Sequence, residues 1–309
     1  MGTMTGRLAP SPTGSQHLGN ARTYLIAWLS ARSQGGRVVM RIEDIDVWRN
    51  RPGAQEQLAE DLRWLGLDWD GEVVVQSTRL AEHEAALDEL KRLELVYPCT
   101  CSRADIQAAA SAPHLEHEAP TYPGTCAVRT AADADQLDKP FAWRFRVRHS
   151  PAFEDLYLGP TYVDLNHAGG DFVIWRAAKA PAYQLAVVVD DADAGVTEVI
   201  RGDDLISSTP RQLLLYQALR RPPPRFGHVP LVVGEDGHRL AKRHGSTKIA
   251  EVRSAGVRPE TLVGFLAWSC GWIPEPTAIT APELIPFFRW DRIPREPLVL
   301  NVKLLGLLQ

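Results

Sequence analysis

Apolar and polar positions in the first hundred residues switch between two periods. The short run "LAP" leads through a polar loop into "LGNARTYLIAWLSARS", where Tyr24, Leu25, Trp28 and Leu29 recur at helical spacing. "GRVVMRIED" reads as a second strand. "GAQEQLAEDLRWLGL" follows as a helix with Leu58, Leu62 and Leu65 on one face, and a third helix is predicted from about Thr78 to Leu95. Strands alternating with helices in this way predict a parallel sheet and an open α/β fold.

The pattern changes between Pro98 and about Pro181. "CTCSRADIQAAASAPHLEHEAPTYPGTC" is irregular and carries cysteines, and "FAWRFRV", "LYLGPTYVDL" and "DFVIWR" then read as antiparallel strands. This stretch is expected to be an insertion. The first unit resumes with "YQLAVVVDD", "VTEVIRG" and the helix "TPRQLLLYQALR", and a basic loop, "GEDGHRLAKRHGS", follows the strand-like "HVPLVV". Helical patterns from Ile249 to Ala255 and from Pro259 to Cys270 close the part expected to be ordered. A short proline-rich tail runs on from Ile273.

Composition changes this picture little: 45% hydrophobic, 23% charged, net charge −4. No apolar run approaches the eighteen or so residues of a membrane span. The N-terminal "MGTMTGRLAP" has no apolar signal core, so a cytoplasmic protein without a membrane partner is expected. Charge is uneven, with 11 Lys and Arg against 5 Asp and Glu between Arg201 and Arg258. Such a segment in an acidic protein suits a surface facing polyphosphate or nucleic acid, or else a solvated face of scattered arginines. Cys99, Cys101 and Cys126 cluster in sequence, which in a cytoplasmic protein favours a metal over a disulfide. Cys270, in "LAWSCGW", reads as a buried core thiol.

The loop "SPTGSQHLGN" stands at a strand-to-helix junction, where free backbone N–H groups and the helix dipole suit a phosphate. Some 220 residues later comes "RLAKRHGS". Together these resemble the "HIGH" and "KMSKS" loops of class I aminoacyl-tRNA synthetases. The resemblance runs from about Arg7 to Trp272: "GRLAPSPTGSQHLGNAR", "RIEDID", "YQLAVVVDD", "GVTEVIRGDDL" and "STPRQLLLYQAL" are similar to the catalytic domain of glutamyl-tRNA synthetases. It implies a Rossmann-type catalytic domain made of residues 1–98 and 182–248. Residues 99–181 would form an inserted zinc-bearing α+β subdomain that binds the acceptor. Residues 249–309 would form a short helical, stem-like part and tail, with no anticodon-binding domain.

The same resemblance implies ATP, taken with Mg2+, and glutamate as substrates. His17, Gly19 and Asn20 would contact ATP on one side, and Lys242 and Arg243 would close over its phosphates from the other. His17 and Lys242 would be the catalytic pair. The second loop departs from the family pattern, with Arg239 in place of its first lysine and Ala241 in place of its serine, which points to slower or differently gated activation. For glutamate, Arg7 and Arg201 match the arginines that handle carboxylate, Glu43 the acid that binds the ammonium, and Ser11 and Tyr183 the pocket lining.

Three cysteines are one ligand short of tetrahedral zinc. The resemblance supplies Tyr122 as the fourth ligand for a structural zinc, with His114 and His117 as chemical competitors and a metal-free thiol cluster as the bland alternative. Few residues remain after "GFLAWSCGW", too few for the helical domains by which a full glutamyl-tRNA synthetase grips the anticodon. That ending resembles a family of its own, the glutamyl-queuosine tRNA(Asp) synthetases, which esterify glutamate to queuosine in the anticodon loop of tRNA(Asp). A monomer is expected. Two alternatives stay open: a minimal glutamyl-tRNA synthetase charging a tRNA 3′ end, and a catalytically silent RNA-binding paralogue.

Overall fold

Strands β1 (Thr5–Leu8) and β2 (Arg37–Ile42) pair in parallel, Thr5 opposite Arg37 and Leu8 opposite Met40. Parallel neighbours need a crossover, and α1 (Leu18–Ser33) provides it. A second crossover through α2 (Ala54–Trp64) brings β3 (Val74–Val75) to the far side of β2. These elements come from a computed structural model that describes residues 3–12, 16–109, 121–238, 240 and 247–308.

After α3 (Leu80–Arg92) come β4 (Val96–Cys99), α4 (Arg103–Ala109), β5 (Ala142–Phe145), β6 (Phe153–Asp155), β7 (Gly159–Thr161), β8 (Phe172–Arg176) and β9 (Ala180–Pro181). Strands β4, β5, β8 and β9 make an antiparallel sheet in that order. The chain continues through α5 (Tyr183–Asp193), β10 (Glu198–Gly202), α6 (Ser208–Ala218), β11 (Arg225–Val229) and β12 (Val232–Gly234). Then follow α7 (Ile249–Ser254), α8 (Pro259–Ser269), β13 (Leu298–Leu300) and α9 (Val302–Leu305).

β10 and β11 are parallel, and the Thr197 N–H donates to the Thr5 carbonyl at 2.9 Å, which ties β10 to the free edge of β1. The order of the parallel strands therefore reverses beside β1. In open α/β sheets the crevice at the carboxyl ends of such strands is where ligands bind. The β6–β7 hairpin, although inside the segment expected as an insertion, joins this sheet too: β6 pairs in parallel with β11, Asp155 opposite Phe226.

The run "YQLAVVVDD" is helix α5, despite three consecutive valines. Every residue from Leu185 to Asp191 is buried, and that packing overrides the weak preference of β-branched side chains for strands. The tail corrects its expectation. Its prolines prevent long helices, but Ala281, Leu284, Phe288, Ile293, Leu300 and Leu308 all enter the main core, and β13 pairs in parallel with β12. Where the tail crosses α8 the backbones touch: a Cβ at Gly264 would lie 2.0 Å from the Thr277 carbonyl oxygen. Cys270 is buried in the same core, as expected. Among the described residues no helix is long and apolar enough to cross a membrane.

Candidate active site at the carboxyl ends of the parallel strands

The loop after β1 ends at His17, the N-cap of α1, whose backbone N–H donates to Asn20 Oδ1 at 3.4 Å. Gly19 sits in a tight spot: a Cβ there would stand 3.2 Å from His17 Nδ1 and 3.3 Å from Val232 Cβ, so those side chains would have to give way slightly. No acidic residue occupies the first turn of α1, so its dipole stays available to an anion. The chain returning from the basic loop is strapped to this turn. Leu18 N–H donates to the Thr247 carbonyl at 2.9 Å, Ile249 N–H donates to the Gln16 carbonyl at 2.8 Å, and His17 and Lys248 form an antiparallel bridge. Arg239, Ala241, Lys242 and Arg243 lie outside the described residues, as do His114 and His117, but both flanks of the basic loop reach the His17 turn.

Beside this turn lies a buried charge cluster. Arg7 Nε, on β1, is 3.2 Å from the Asp191 carboxylate, and Arg41 Nη1, at the end of β2, is 2.5 Å from the same group. Arg41 also reaches Glu43 Oε1 at 2.9 Å and Asp190 at 4.0 Å. Burial opposes its charge, but Asp191, Glu43 and Asp190 outweigh burial and hold its pKa above the usual range. Arg201, on β10, is different. It is as deeply buried, yet among the described residues it makes no ion pair. Its Nε donates to His228 Nε2 at 3.0 Å, Nη2 to Thr209 Oγ1 at 2.7 Å and Nη1 to the Tyr183 hydroxyl at 3.5 Å. Burial pulls its pKa below the usual range.

Several buried polar atoms also have no protein partner among the described residues: both amide atoms of Gln212, the Tyr216 hydroxyl and Gln184 Oε1. Arg7, Arg41, Arg201 and Asp191 lie close enough to Tyr216 to act on its ionisation. Orphaned groups of this kind mark a place for a polar ligand or water. Ser11 sits half-buried on a stretch stitched to the chain after β2: Glu43 N–H donates to the Pro10 carbonyl at 2.9 Å and Arg51 N–H to the Pro12 carbonyl at 3.2 Å. That turn leaves Val47 and Trp48 exposed, Trp48 by 93%.

A third constellation lies at the end of β4. The sulfurs of Cys99, Cys101 and Cys126 are all within 4.8 Å of one another, Cys101 and Cys126 at 3.6 Å. The Tyr122 hydroxyl is 3.5 Å from Cys99 Sγ and accepts the Cys126 N–H at 2.8 Å. Burial pushes the Cys101 thiol up to about 11. At Cys126 burial is outweighed by hydrogen bonds from the Thr100 backbone, Cys101 and Tyr122 and by Arg129, which draw the thiol down to about 7. Two guanidiniums face the sulfurs: Arg129 Nη1 is 3.3 Å from Cys126 Sγ and Arg144 Nε 3.3 Å from Cys99 Sγ.

The family model for the catalytic domain of class I tRNA synthetases (E and Q) matches residues 3–304. The chain belongs to the class I tRNA synthetases. It is 50% identical to the glutamyl-Q tRNA(Asp) synthetase of Rhodopirellula baltica over 97% of this chain and 98% of that one. It is 52% identical to the protein of that name from Symbiobacterium thermophilum, over 95% of each. With full-length relatives at this identity, it stands among the glutamyl-Q tRNA(Asp) synthetases of the family. The glutamate–tRNA ligase of Geobacter sulfurreducens is 43% identical, and that match covers 86% of this chain but 57% of the ligase. The glutamate–tRNA synthetase of Elizabethkingia anophelis, 24% identical, superposes with a TM-score of 0.82 over 98% of this chain and 69% of that one, which shows the shared fold.

Part of the basic charge between Arg201 and Arg258 is tied up within the protein. Arg201 is buried among His228, Thr209 and Tyr183, Arg211 donates to the Ser207 and Ala168 carbonyls, Arg221 pairs with Asp193, and Arg225 is 2.8 Å from Glu198. Four arginines of the segment thus have partners inside the protein. Sequence reasoning also passed over Arg41, Asp191, Thr209, His228 and Asp155. Asp190 and Asp191 did carry a signal, as two adjacent acids inside an apolar run, since buried carboxylates demand cationic partners.

Proposed function

We propose that the protein uses ATP to convert glutamate to glutamyl-adenylate and transfers the glutamyl group to queuosine in the anticodon of tRNA(Asp). The observation that carries the substrate is Arg201, a buried guanidinium held by three neutral groups and, among the described residues, paired with no acid. A buried cation of this kind calls for an anionic ligand. Glutamate supplies a side-chain carboxylate, whereas glutamine would leave the charge unanswered. Arg7 shares the carboxylate-binding work, Glu43 receives the ammonium, and Ser11 and Tyr183 line the pocket.

His17, Gly19 and Asn20 take ATP on the α1 side, and Lys242 and Arg243 close on its β- and γ-phosphates. Magnesium bound with ATP supplies neutralisation of phosphate charge. The glutamate α-carboxylate attacks the α-phosphorus and pyrophosphate leaves, with His17 and Lys242 stabilising the charge that builds on the phosphate oxygens. A hydroxyl of the queuosine cyclopentene ring then attacks the activated carbonyl and releases AMP. In this reading residues 1–98 and 182–248 are the catalytic unit, residues 99–181 the inserted unit facing the RNA, and residues 249–309 the stem-like part.

Cys99, Cys101, Cys126 and Tyr122 fit a zinc ion. Ligand atoms around tetrahedral zinc lie about 3.5 Å (S to O) to 3.8 Å (S to S) apart, and the separations of 3.6 Å for Cys101–Cys126 and 3.5 Å for Cys99–Tyr122 are of that size. Zinc there would supply a structural cross-link, while Arg129 and Arg144 offset the negative charge of the ligand set. One zinc per chain is expected by metal analysis. Cys126→Ser should lose it and lower RNA transfer more than ATP–pyrophosphate exchange. A metal-free, normally folded protein would remove the site.

The test of function is transfer of labelled glutamate, with ATP and magnesium, to tRNA(Asp) carrying queuosine and to the same RNA carrying guanosine. Label on the queuosine form alone is the expected result. Labelling of tRNA(Glu) instead would return the activity to charging of a 3′ end.

A further inference from the structure

We propose that Asp155 and His228 form a positioning relay that fixes the Arg201 guanidinium for the substrate's side-chain carboxylate. The proposal rests on the reading that Arg201 receives that carboxylate. The relay runs straight across three neighbouring parallel strands. Arg201 on β10 is the register partner of His228 on β11, and Asp155 on β6 pairs two residues earlier on β11, at Phe226. Asp155 Oδ2 is 2.6 Å from His228 Nδ1, and His228 Nε2 is 3.0 Å from Arg201 Nε. All three side chains are buried.

The chemistry allows one tautomer. Arginine donates and never accepts, so His228 Nε2 must be the acceptor and Nδ1 must carry the proton toward Asp155. Asp155 is itself held as a carboxylate. Burial raises its pKa, but the His228 hydrogen bond and the Leu158 and Tyr157 N–H groups outweigh burial and keep it below its usual range. Thr209 Oγ1 takes Arg201 Nη2, and the Phe226 ring lies 5.2 Å beneath the guanidinium. Each of these partners is neutral where it meets Arg201. The relay therefore orients the guanidinium without neutralising it, and the charge is left for the ligand.

The charged and titratable groups that act on His228 are Asp155, Arg201 and Asp204. Burial draws its pKa below the usual range, despite Asp155, so the ring is neutral near neutral pH. A depressed histidine contributes stability that is present above its unfolded pKa of about 6.5 and is lost as pH falls below it. A proton forced onto Nε2 would set a cation and a donor against Arg201. The KM for glutamate should therefore rise on the acid side.

The test is glutamate-dependent ATP–pyrophosphate exchange by the full chain, read as the KM for glutamate, the KM for ATP and kcat. His228→Gln places an amide oxygen where Nε2 accepts and should keep the glutamate KM within about threefold, with the acid-side rise abolished. His228→Asn retains only the Nδ1 end and should raise that KM about 10- to 100-fold, the range expected for a buried donor left unsatisfied. Asp155→Asn should act like His228→Asn. Its amide either donates to Nδ1 and reverses the tautomer, or turns its NH2 group against the Leu158, Tyr157 and His228 N–H groups that meet Oδ1. In all three the KM for ATP should hold. Equal effects of His228→Gln and His228→Asn, or a glutamate KM that none of the variants moves, would overturn the relay while leaving the function intact. No glutamate-dependent exchange in the unaltered protein would overturn the functional reading and the relay with it.

Discussion

Replacing Arg201 with alanine should raise the KM for glutamate in ATP–pyrophosphate exchange by two to three orders of magnitude, with little change in the KM for ATP. A desolvated charge-assisted pair loses about 2–5 kcal/mol when one partner is truncated, and each 1.4 kcal/mol is roughly tenfold. Lysine should not restore it. An ammonium cannot at once reach His228 Nε2, Thr209 Oγ1 and a carboxylate, because it lacks the planar fork. Steady-state exchange over a wide glutamate range decides the matter. An unchanged glutamate KM in the alanine variant would take Arg201 out of the pocket.

The largest loss of stability should come from Asp191→Asn. One carboxylate on α5 answers two buried guanidiniums, Arg7 and Arg41. Arg41 keeps Glu43 and the more distant Asp190, but among the described residues Arg7 has no second acid. Removing one partner of a buried pair costs about 3–5 kcal/mol because a charge is left uncompensated. Domains are stable by about 5–15 kcal/mol in total, so the melting temperature should drop by on the order of 10 °C. Calorimetry would show it. A melting temperature within a degree of the unaltered protein would mean that Arg7 and Arg41 find other acids.

The sequence was most readable where pattern and chemistry were local. Helix α1 runs from Leu18 to Ser33 as its spacing predicts, because the glycine-bearing loop before it and the recurring apolar residues within it are adjacent in the chain. Resemblance drew attention to Arg7 and Arg201, but which of them already had an acid could not be read from their neighbours. Arg7 meets Asp191 across 184 residues. Asp155 lies in a stretch that looked like part of an insertion, 73 residues from the histidine it holds. Counting charges says nothing of partners, for a related reason. Arg201, Arg211, Arg221 and Arg225 look alike in sequence, and only packing shows that the first meets neutral groups among the described residues while the others tie carbonyls and carboxylates. The tail misled because prolines abolish helical periodicity without abolishing burial, and Leu284 and Phe288 reach the core from short turns.

The turn after β2 has a practical consequence. The chain contains nine tryptophans, and Trp48 is the one that stands exposed; the other eight are buried or half-buried. Its turn is fastened at both ends to the stretch that carries Ser11. A soluble quencher such as iodide will therefore reach Trp48 first, and the quenchable part of the intrinsic fluorescence belongs to the turn fastened beside Ser11. The protein carries its own optical probe there, able to report what covers that turn with no label attached.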